Sequence, residues 1–340
     1  MPRTKISFAT FNLYNLNEPG LTIYQDQDGW SQEEYDKKLT WTSNIITKLH
    51  ADVWGFQELW HAASLKRVFE QADLAETYTL LIPEGQAGQR IVCAGAVRSD
   101  ILVGDPEWID VFPDDFRLSS GGDDAQAPDI HVEIDGFSRP VLHFEVKPRA
   151  NGKRIHVYVC HFKSKGPTRI YFEPWYSRDI YSKHSEAIGA AISTIRRTAE
   201  ATALRMLLVE LMKDTDTPVV VLGDLNDSQH SNTLNIVTGQ PRYLLSGLSQ
   251  GGGDVDLYSV GTLQEYRSHR DVYYTHVYNN TRESLDHILV SQEFYDNSRR
   301  RIWAFKGMKI ANDHLNDDDH KEVGTTDHGI VQATFEYRPA

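Results

Sequence analysis

The chain of 340 residues contains two cysteines and no long apolar run. Two thiols, Cys93 and Cys160, cannot supply a disulfide framework; each lies in a strand-like apolar segment, typical of core filling or of a reducing compartment. No segment of about 18 apolar residues is present, so the sequence predicts no membrane span and no stable membrane association.

The sequence also lacks room for a signal peptide. The first predicted strand begins near Lys5, which leaves no space for a charged start, an apolar segment and a cleavage site. The chain as written is therefore expected in the cytoplasm, and a protein trimmed of a leader would be secreted.

An excess of positive charge is absent as well, because the net charge is −13 and the pI is about 5.5. A histone-like nucleic-acid binder needs a basic face that neutralises phosphates and releases counterions. The acidic balance excludes that class. It remains compatible with an enzyme whose acidic cleft holds a divalent cation, since a bound cation reverses the local field.

No repeat, low-complexity tract or Pro/Ser-rich linker divides the chain, so we expect one domain over residues 1–340. Apolar spacing predicts helices over Gln32–Leu49, Ala62–Gln71 and Ser185–Met212. The predicted strands are Lys5–Leu13, Val53–Gln57, Thr77–Ile82, Ile91–Val97, Trp108–Val111, His131–Ile134, Val141–Val146, Ile155–Cys160, Pro218–Leu222, Val272–Tyr278, Ile288–Val290, Arg301–Phe305 and Ile330–Phe335. The predicted surface loops are Ser119–Asp129, Leu248–Asp256 and Asn312–Gly324. This pattern favours an α/β fold of two packed β-sheets flanked by helices.

Short polar motifs at the ends of these strands carry the functional signal. They are Thr10-Phe11-Asn12-Leu13, Gln57-Glu58, Cys160-His161-Phe162-Lys163-Ser164-Lys165, Gly223-Asp224-Leu225-Asn226, Leu285-Asp286-His287 and Thr326-Asp327-His328-Gly329. No single motif is specific, but the ordered set collects carboxylates, amides and histidines at one edge. Metal-assisted phosphoester hydrolysis needs these groups: oxygen ligands for a cation, a base for water and donors for phosphoryl oxygens.

Glu58 ends a buried apolar strand, where a carboxylate needs a charge partner. Mg²⁺ or Mn²⁺ is one candidate partner; the alternative is a charge at the start of the helix predicted from Ala62. Asn12 is expected either to complete the metal or phosphate shell or to cap its strand.

Asp224 and Asn226 lie two residues apart, so in extended geometry both side chains face one site. The carboxylate can align or deprotonate water, and the amide can hold water or phosphate. A simple turn is the alternative, because Gly-Asp-x-Asn is also common in turns.

Asp327 and His328 form the sharpest pair. A histidine becomes a base at neutral pH when a carboxylate fixes its tautomer. Adjacent side chains point apart, so Asp327 is predicted to be a ligand or water-orienting group, and Asp286 is the acid expected to support His328. His161 is expected to donate to a phosphate oxygen. The histidines at 143, 156, 269 and 276 are expected to serve packing or surface roles.

Taken together, the residues resemble the endonuclease/exonuclease/phosphatase superfamily, with its DNase I-like fold. The resemblance runs from Phe8-Ala9-Thr10-Phe11-Asn12 to Thr326-Asp327-His328-Gly329-Ile330-Val331. Two further motifs, His161–Gly166 and Arg197–Ala201, are similar to the bacterial extracellular-nuclease-type branch. The resemblance implies a four-layer α/β sandwich of two mixed sheets and a hydrolase dependent on Mg²⁺ or Mn²⁺, with Ca²⁺ as a further candidate ion.

The resemblance also implies residue roles. Metal binding falls to Asn12, Glu58 and Asp327; phosphate contact falls to His161 and Asn226; Asp286 with His328, or alternatively Asp224, supplies the base. Substrate contacts are expected from Arg90, Lys163 and Arg197. The family's Glu that supports the first catalytic His has no identifiable counterpart in the sequence.

The segment after His161 suggests the substrate. It interleaves cations with aromatic rings: Lys163, Lys165, Arg169, Tyr171, Phe172, Trp175, Tyr176, Arg178, Tyr181 and Lys183. Such a mixture suits a nucleic-acid strand, and the alternative is a loop whose rings cover the core. We expect a monomeric endonuclease acting on DNA or RNA. The alternatives are a phosphoesterase of the same superfamily acting on a lipid, an inositol phosphate or another small phosphoester, and an inactive binding protein.

Overall fold

The computed structural model describes residues 3–24, 27–121, 128–243, 251–268, 274–316 and 319–340. Its strands are β1 (Lys5–Leu16), β2 (Val53–His61), β3 (Tyr78–Leu81), β4 (Ala87–Arg98), β5 (Leu102–Val111), β6 (Leu118–Ser120), β7 (Ile130–Val132), β8 (Gly136–Val146), β9 (Ile155–His161), β10 (Val219–Asp224), β11 (Leu257–Ser259), β12 (His276–Tyr278), β13 (Thr281–Glu283), β14 (Asp286–Ser291), β15 (Trp303–Ala311) and β16 (Ile330–Tyr337). Its α-helices are α1 (Gln32–Leu49), α2 (Ala62–Gln71), α3 (Arg178–Tyr181), α4 (Ser185–Met212), α5 (Asn232–Thr238), α6 (Val260–Glu265) and α7 (His320–Val323). Short 3₁₀ turns cover Ile170–Phe172, Gln292–Phe294 and Asp313–Asn316.

Two six-stranded sheets form the centre of the molecule. The first has the order β15-β16-β1-β2-β4-β3 and the second β11-β14-β10-β9-β8-β5. Both are mixed, because β1 pairs with β2 and β9 with β10 in parallel while their other neighbours are antiparallel. Two hairpins, β6-β7 and β12-β13, lie outside the sheets.

Alternation along the strands divides the core into layers. In β1, Ile6 and Phe8 pack between the two sheets, whereas Phe11 and Leu13 pack in the cluster that includes residues of α1 and α2. The outer face of the second sheet packs against α4 and α5. Helices, sheet, sheet and helices form four layers, so the predicted four-layer α/β sandwich is confirmed.

The long helices agree with the predictions, and local chemistry explains where α1 begins. The hydroxyl of Ser31 accepts a hydrogen bond from Glu34 N at 3.3 Å, while the Glu34 carboxylate accepts one from Ser31 N at 2.8 Å. This capping box satisfies two backbone donors at the start of the helix. No helix in the described ranges is both long enough and apolar enough to cross a membrane.

Several predicted boundaries need correction. The strand expected at Trp108–Val111 begins already at Leu102, and Ser119 and Ser120 of a predicted loop belong to β6. The predicted loop Asn312–Gly324 contains a 3₁₀ turn and α7, because Asp319 caps α7 through Lys321 N and Glu322 N. Parts of four predictions, at 122–127, 248–250, 272–273 and 317–318, lie outside the described residues.

Candidate active site

Strand register brings the predicted residues to one edge between the sheets. Asp224 at the end of β10 pairs with His161 of β9 on one side and with Asp286 of β14 on the other. Each follows the alternation of its strand and faces inward. Asn12 of β1 faces them from the first sheet and donates from Nδ2 to Asp224 Oδ2 at 3.2 Å.

Gly223 is the residue that permits this close approach of β9 and β10. Its φ is +156°, and a Cβ at this position would lie 2.1 Å from the Cys160 carbonyl oxygen. A side chain there would push the two strands apart and displace Asp224 from His161. The glycine of Gly-Asp-x-Asn is therefore a packing requirement.

Glu58 enters the site through an irregular backbone. Its φ of +59° is left-handed, and the pairing of β2 with both neighbours shifts register around it. A left-handed non-glycine residue is strained and persists only where its surroundings hold it. Here Asn15 N donates to Glu58 Oε2 at 3.0 Å, and this bond holds the carboxylate at the site.

Asp286 and His328 form a buried dyad. His328 Nδ1 lies 2.8 Å from Asp286 Oδ2, and its Nε2 lies 3.7 Å from Asp224 Oδ2. Burial opposes the charged imidazole, but Asp286 and Asp224 outweigh it and hold the pKa of His328 well above its usual value. The contact expected between Asp286 and His328 is thus present, and the ring carries a proton that faces Asp224.

His161 has the opposite character. Burial, reinforced by the positive charges of Arg139 and His328, holds the pKa of His161 well below its usual value, so the ring is neutral. Its Nε2 lies 3.6 Å from Asp224 Oδ2, and its Nδ1 has no hydrogen-bond partner among the described residues. Glu58 Oε1 lies 3.9 Å from His161 Nε2. The buried Glu200 accepts from the backbone N of Ser138 and of Lys163 and does not contact the ring.

The carboxylates fit a hard divalent cation. Burial, then repulsion by Asp327, raises the pKa of Glu58 to about 7, with His328 opposing. Burial also raises the pKa of Asp224 to about 6. Within the described ranges, no Lys or Arg forms an ion pair with Glu58 or Asp224. This cluster of buried carboxylate oxygens is the donor set that Mg²⁺ and similar ions prefer.

One buried cation lies beneath the site. Lys38 Nζ donates to the Thr325 carbonyl at 2.6 Å and lies 5.6–5.7 Å from the ring centres of Tyr14, Trp30 and Trp41. Burial lowers the pKa of Lys38 to about 7, although Asp327 and Glu58 oppose the shift. Lys38 therefore anchors the segment that leads into Asp327 and His328.

An open cleft of about 880 Å³ exposes this cluster. The predicted residues that line it are Glu58, His161, Asp224, Asn226, Asp327 and His328. Asn12 and Asp286 lie behind them, bonded to Asp224 and His328. Lys163 and Arg90 line a neighbouring recess instead of the cleft.

Arg197 requires a correction, because it does not line the cleft. Its side chain is buried, with Nε 3.4 Å from Asp227 Oδ2 and Nη1 donating to the carbonyls of Lys163 and Ser164 at 3.2 and 3.3 Å. Through these contacts, the guanidinium holds the loop after β9 against α4. Arg197 is a structural residue.

Arg197→Ala should therefore lower the free energy of unfolding by about 3 kcal/mol, since it removes the buried cation paired with Asp227 and the donor to two carbonyls. Urea unfolding measures this loss. The partly exposed neighbour Arg196 is the matched control, and Arg196→Ala should change stability by less than about 0.5 kcal/mol. Equal losses in both variants would contradict the structural role.

The sequence did not assign Arg139 or His276 to the site. Arg139 lines the cleft from the start of β8, where no motif marks it. His276, expected in a packing or surface role, lines the cleft, and its ring centre lies 5.0 Å from that of His328. One ligand atom each from His276, Asp327 and His328 falls within 4.8 Å of the others. The bridge between residues 276 and 328 joins segments distant in sequence, so no local pattern could show it.

The aromatic segment after His161 lies at the surface. Tyr171, Phe172 and Trp175 are 51%, 69% and 48% exposed, so these rings do not cover the core. Lys165 and Lys183 of the same segment line the cleft. The alternative of a core-covering loop is therefore wrong for these three rings.

Comparisons with known proteins identify the family. The model of the Endonuclease/Exonuclease/phosphatase family matches residues 9–328. Among curated proteins, none matches the chain.

Solved structures share the fold at low identity. An endonuclease/exonuclease/phosphatase from Bacteroides vulgatus is 15% identical, with a TM-score of 0.54 over 99% of this chain and 100% of that one. Truncated TDP2 of Caenorhabditis elegans is 11% identical, with a TM-score of 0.55 over 98% of each chain. A mannosyl-6-phosphatase of Bacteroides thetaiotaomicron is 15% identical, with a TM-score of 0.55 over 98% of this chain and 100% of that one.

These structures show a common fold and leave the substrate open. The family match covers far more than half of the chain and includes all the strands that carry the clustered carboxylates and histidines. The chain belongs to the Endonuclease/Exonuclease/phosphatase family, whose members are hydrolases acting on phosphoesters.

Proposed function

We propose that the protein is a divalent-metal-dependent phosphodiesterase that cuts DNA or RNA internally. The observation that carries this proposal is the Asp286–His328 dyad, 2.8 Å long, which faces Asp224 at the floor of an open cleft. The resemblance to the bacterial extracellular-nuclease-type branch supports the same activity and stays a prediction.

Glu58 and Asp327, with Asp224 beside them, would hold Mg²⁺ or Mn²⁺, and Ca²⁺ suits the same oxygen donors. When bound, the cation supplies positive charge to the phosphoryl oxygens and lowers the pKa of a bound water. Asn12 keeps Asp224 in place, because its amide donates to Oδ2. The role of Asn12 as a direct ligand of the metal ion stays a prediction.

The protonation states favour Asp224 over His328 as the base. With a pKa of about 6, Asp224 is ionised at neutral pH and can accept a proton from water. His328, whose pKa is held far above its usual value, instead carries a proton that it can donate to a phosphoryl oxygen. Water then attacks phosphorus in line with the leaving oxygen.

Two further groups would bind the phosphate. His161 is neutral and buried beside Asp224 at the cleft surface. Asn226 is held in a left-handed conformation, with φ +53°, by hydrogen bonds to Asp224 Oδ1 and to the Phe162 carbonyl. Both are fixed before substrate arrives, which favours stabilisation of developing charge.

The rim of the cleft favours a nucleic-acid chain. Lys165 and Lys183 line the cleft, and the exposed rings of Tyr171, Phe172 and Trp175 lie in the same segment of the chain. Cations attract the phosphates and rings stack on bases without reading their sequence. A small phosphomonoester would need neither the cations nor the exposed rings along a segment of this length.

A small-phosphoester phosphatase is the second candidate, and one contact favours it. Lys165 forms an ion pair at 2.9 Å with Glu283 of the hairpin β12-β13, so two walls of the cleft are joined. A cleft narrowed in this way suits a compact substrate. One solved structure of the same fold is a mannosyl-6-phosphatase.

A substrate panel tests the proposal. We expect Mg²⁺ or Mn²⁺ to support nicking of supercoiled plasmid DNA or cleavage of RNA, and EDTA or Asp224→Asn to abolish it. Parallel assays use bis(p-nitrophenyl) phosphate and mannose 6-phosphate. Turnover of mannose 6-phosphate with no turnover of the other substrates would identify a phosphatase instead of a nuclease. Binding of nucleic acid with no hydrolysis of any substrate would indicate an inactive binding protein.

A further inference from the structure

A second recess adjoins the catalytic cleft. Its volume is about 620 Å³, and its lining residues Tyr24 and Arg139 are shared with the cleft. It lies between the segment after β1, the end of β2, the starts of β4 and β8, and the loop after β9. A ligand held in the cleft can therefore extend into the recess without leaving the surface.

Three cations surround the recess with no acid among its lining residues. They are Arg90, Arg139 and Lys163. Across the described ranges, none of the three forms an ion pair with a carboxylate, although the whole chain has a net charge of −13. Burial and then the positive charge of Arg139 lower the pKa of Lys163, and the negative charge of Glu200 opposes the shift.

The recess is held together by buried hydrogen bonds. Glu200, which is fully buried, accepts from Ser138 N at 2.8 Å and from Lys163 N at 2.7 Å, and so joins the segments that carry two of the cations. Arg139 Nη1 also donates to the Phe162 carbonyl at 3.3 Å. Fixed cations lose less conformational entropy when they bind an anion than free surface side chains do.

An aromatic wall completes the recess. The rings of Tyr24 and Trp60 meet edge to face with centres 5.2 Å apart, and Tyr24 is 43% exposed. A half-exposed ring supported by a second ring provides a face on which a nucleobase can stack. Inorganic phosphate has no ring or apolar surface that could use such a face.

We infer that this recess is a subsite for a second, non-scissile phosphate of a nucleotide chain, with the adjoining base stacked on Tyr24. The inference rests on the proposed function and deepens it, because it commits the enzyme to a substrate with at least two phosphates. Arg90 and Lys163 bind the second phosphate, and Arg139 lies between the two phosphate positions.

Binding without turnover tests the subsite. The probe is fluorescein-labelled (dT)₁₀, measured by anisotropy in EDTA over a range of salt concentrations. For Arg90→Ala/Lys163→Ala we expect a Kd raised about tenfold or more. The slope of log K against log salt should flatten by roughly 1.4, since each single-strand contact contributes about 0.7. Lys5→Ala/Lys309→Ala removes the same charge from exposed sites distant from the recess in the fold and should bind like the parent.

Steady-state kinetics separate the subsite from the activity. For the double variant, we compare kcat/KM for the oligonucleotide with kcat/KM for bis(p-nitrophenyl) phosphate. The ratio of the first to the second should fall at least tenfold, mainly because KM for the oligonucleotide rises. Arg90→Glu, a charge reversal at an exposed position, should lower the ratio as well. Oligonucleotide cleavage and binding that both survive these substitutions would overturn the subsite and leave the nuclease standing. Recess-dependent binding without hydrolysis of any phosphoester would overturn the nuclease and keep the subsite.

Discussion

Asp224→Asn should lower kcat on any hydrolysed phosphoester by about 10²–10⁴, the range observed when a general base is lost. The substitution keeps the size of the side chain, and its single amide oxygen can still accept from either Asn226 N or Asn12 Nδ2, but an amide cannot accept the proton of water. Turnover under substrate saturation measures the effect. Asp110→Asn, at an exposed position on β5, is the matched control and should behave like the parent.

The pH profile identifies the base. Asp224 has a pKa raised to about 6, so its ionised form predominates only above that pH, and activity should rise as pH increases through about 6. A bound cation favours the ionised form, so the rise in the metal-loaded enzyme lies at or below pH 6. This acid limb should disappear in Asp224→Asn and persist in His328→Gln. The reverse result would assign the base to His328.

The sequence predicted the part of the site that strand periodicity controls. Asp224 and His161 were expected directly after apolar strands and Asp286 directly before one, and strand register places the three side by side. The carboxylate that supports His328 could be chosen because adjacent side chains point apart. These positions depend on local geometry, and the structure has the expected contacts.

The rest depended on contacts that no local pattern encodes. Glu58 reaches the site through a left-handed residue and a change in register, which the strand pattern does not show. His276 and Arg139 arrive from segments remote from the motifs. Arg197 matched a motif, yet the helical pattern could not tell a guanidinium that faces the cleft from one that is buried against Asp227.

Glu58→Gln should remove most of the stabilisation that a divalent cation gives to the protein. A ligand at about 100 times its Kd stabilises by about 2.7 kcal/mol, which raises Tm by roughly 5 °C in a protein of this size. Differential scanning calorimetry with and without Mg²⁺ or Mn²⁺ measures the shift. Glu84→Gln, at an exposed loop position, serves as the matched control and should keep the full shift.

The rise in Tm caused by the metal ion should be larger at higher pH. The folded pKa of Glu58, about 7, lies above its usual 4.5, so the folded protein holds a proton that the unfolded chain has already released. Without metal, this group therefore lowers stability progressively as pH rises from about 4.5 to 7. A cation binds the ionised carboxylate and competes with the proton, so its effect on Tm should be larger at pH 8 than at pH 5.5.

In Glu58→Gln two effects should become smaller together: the loss of stability with rising pH that this carboxyl group causes, and the rise in Tm that the metal ion causes. A variant that keeps the parent's metal shift at pH 8 would exclude Glu58 as a ligand, because Glu58→Gln removes the carboxylate charge that Asn15 N holds in place and leaves the other lining carboxylates intact.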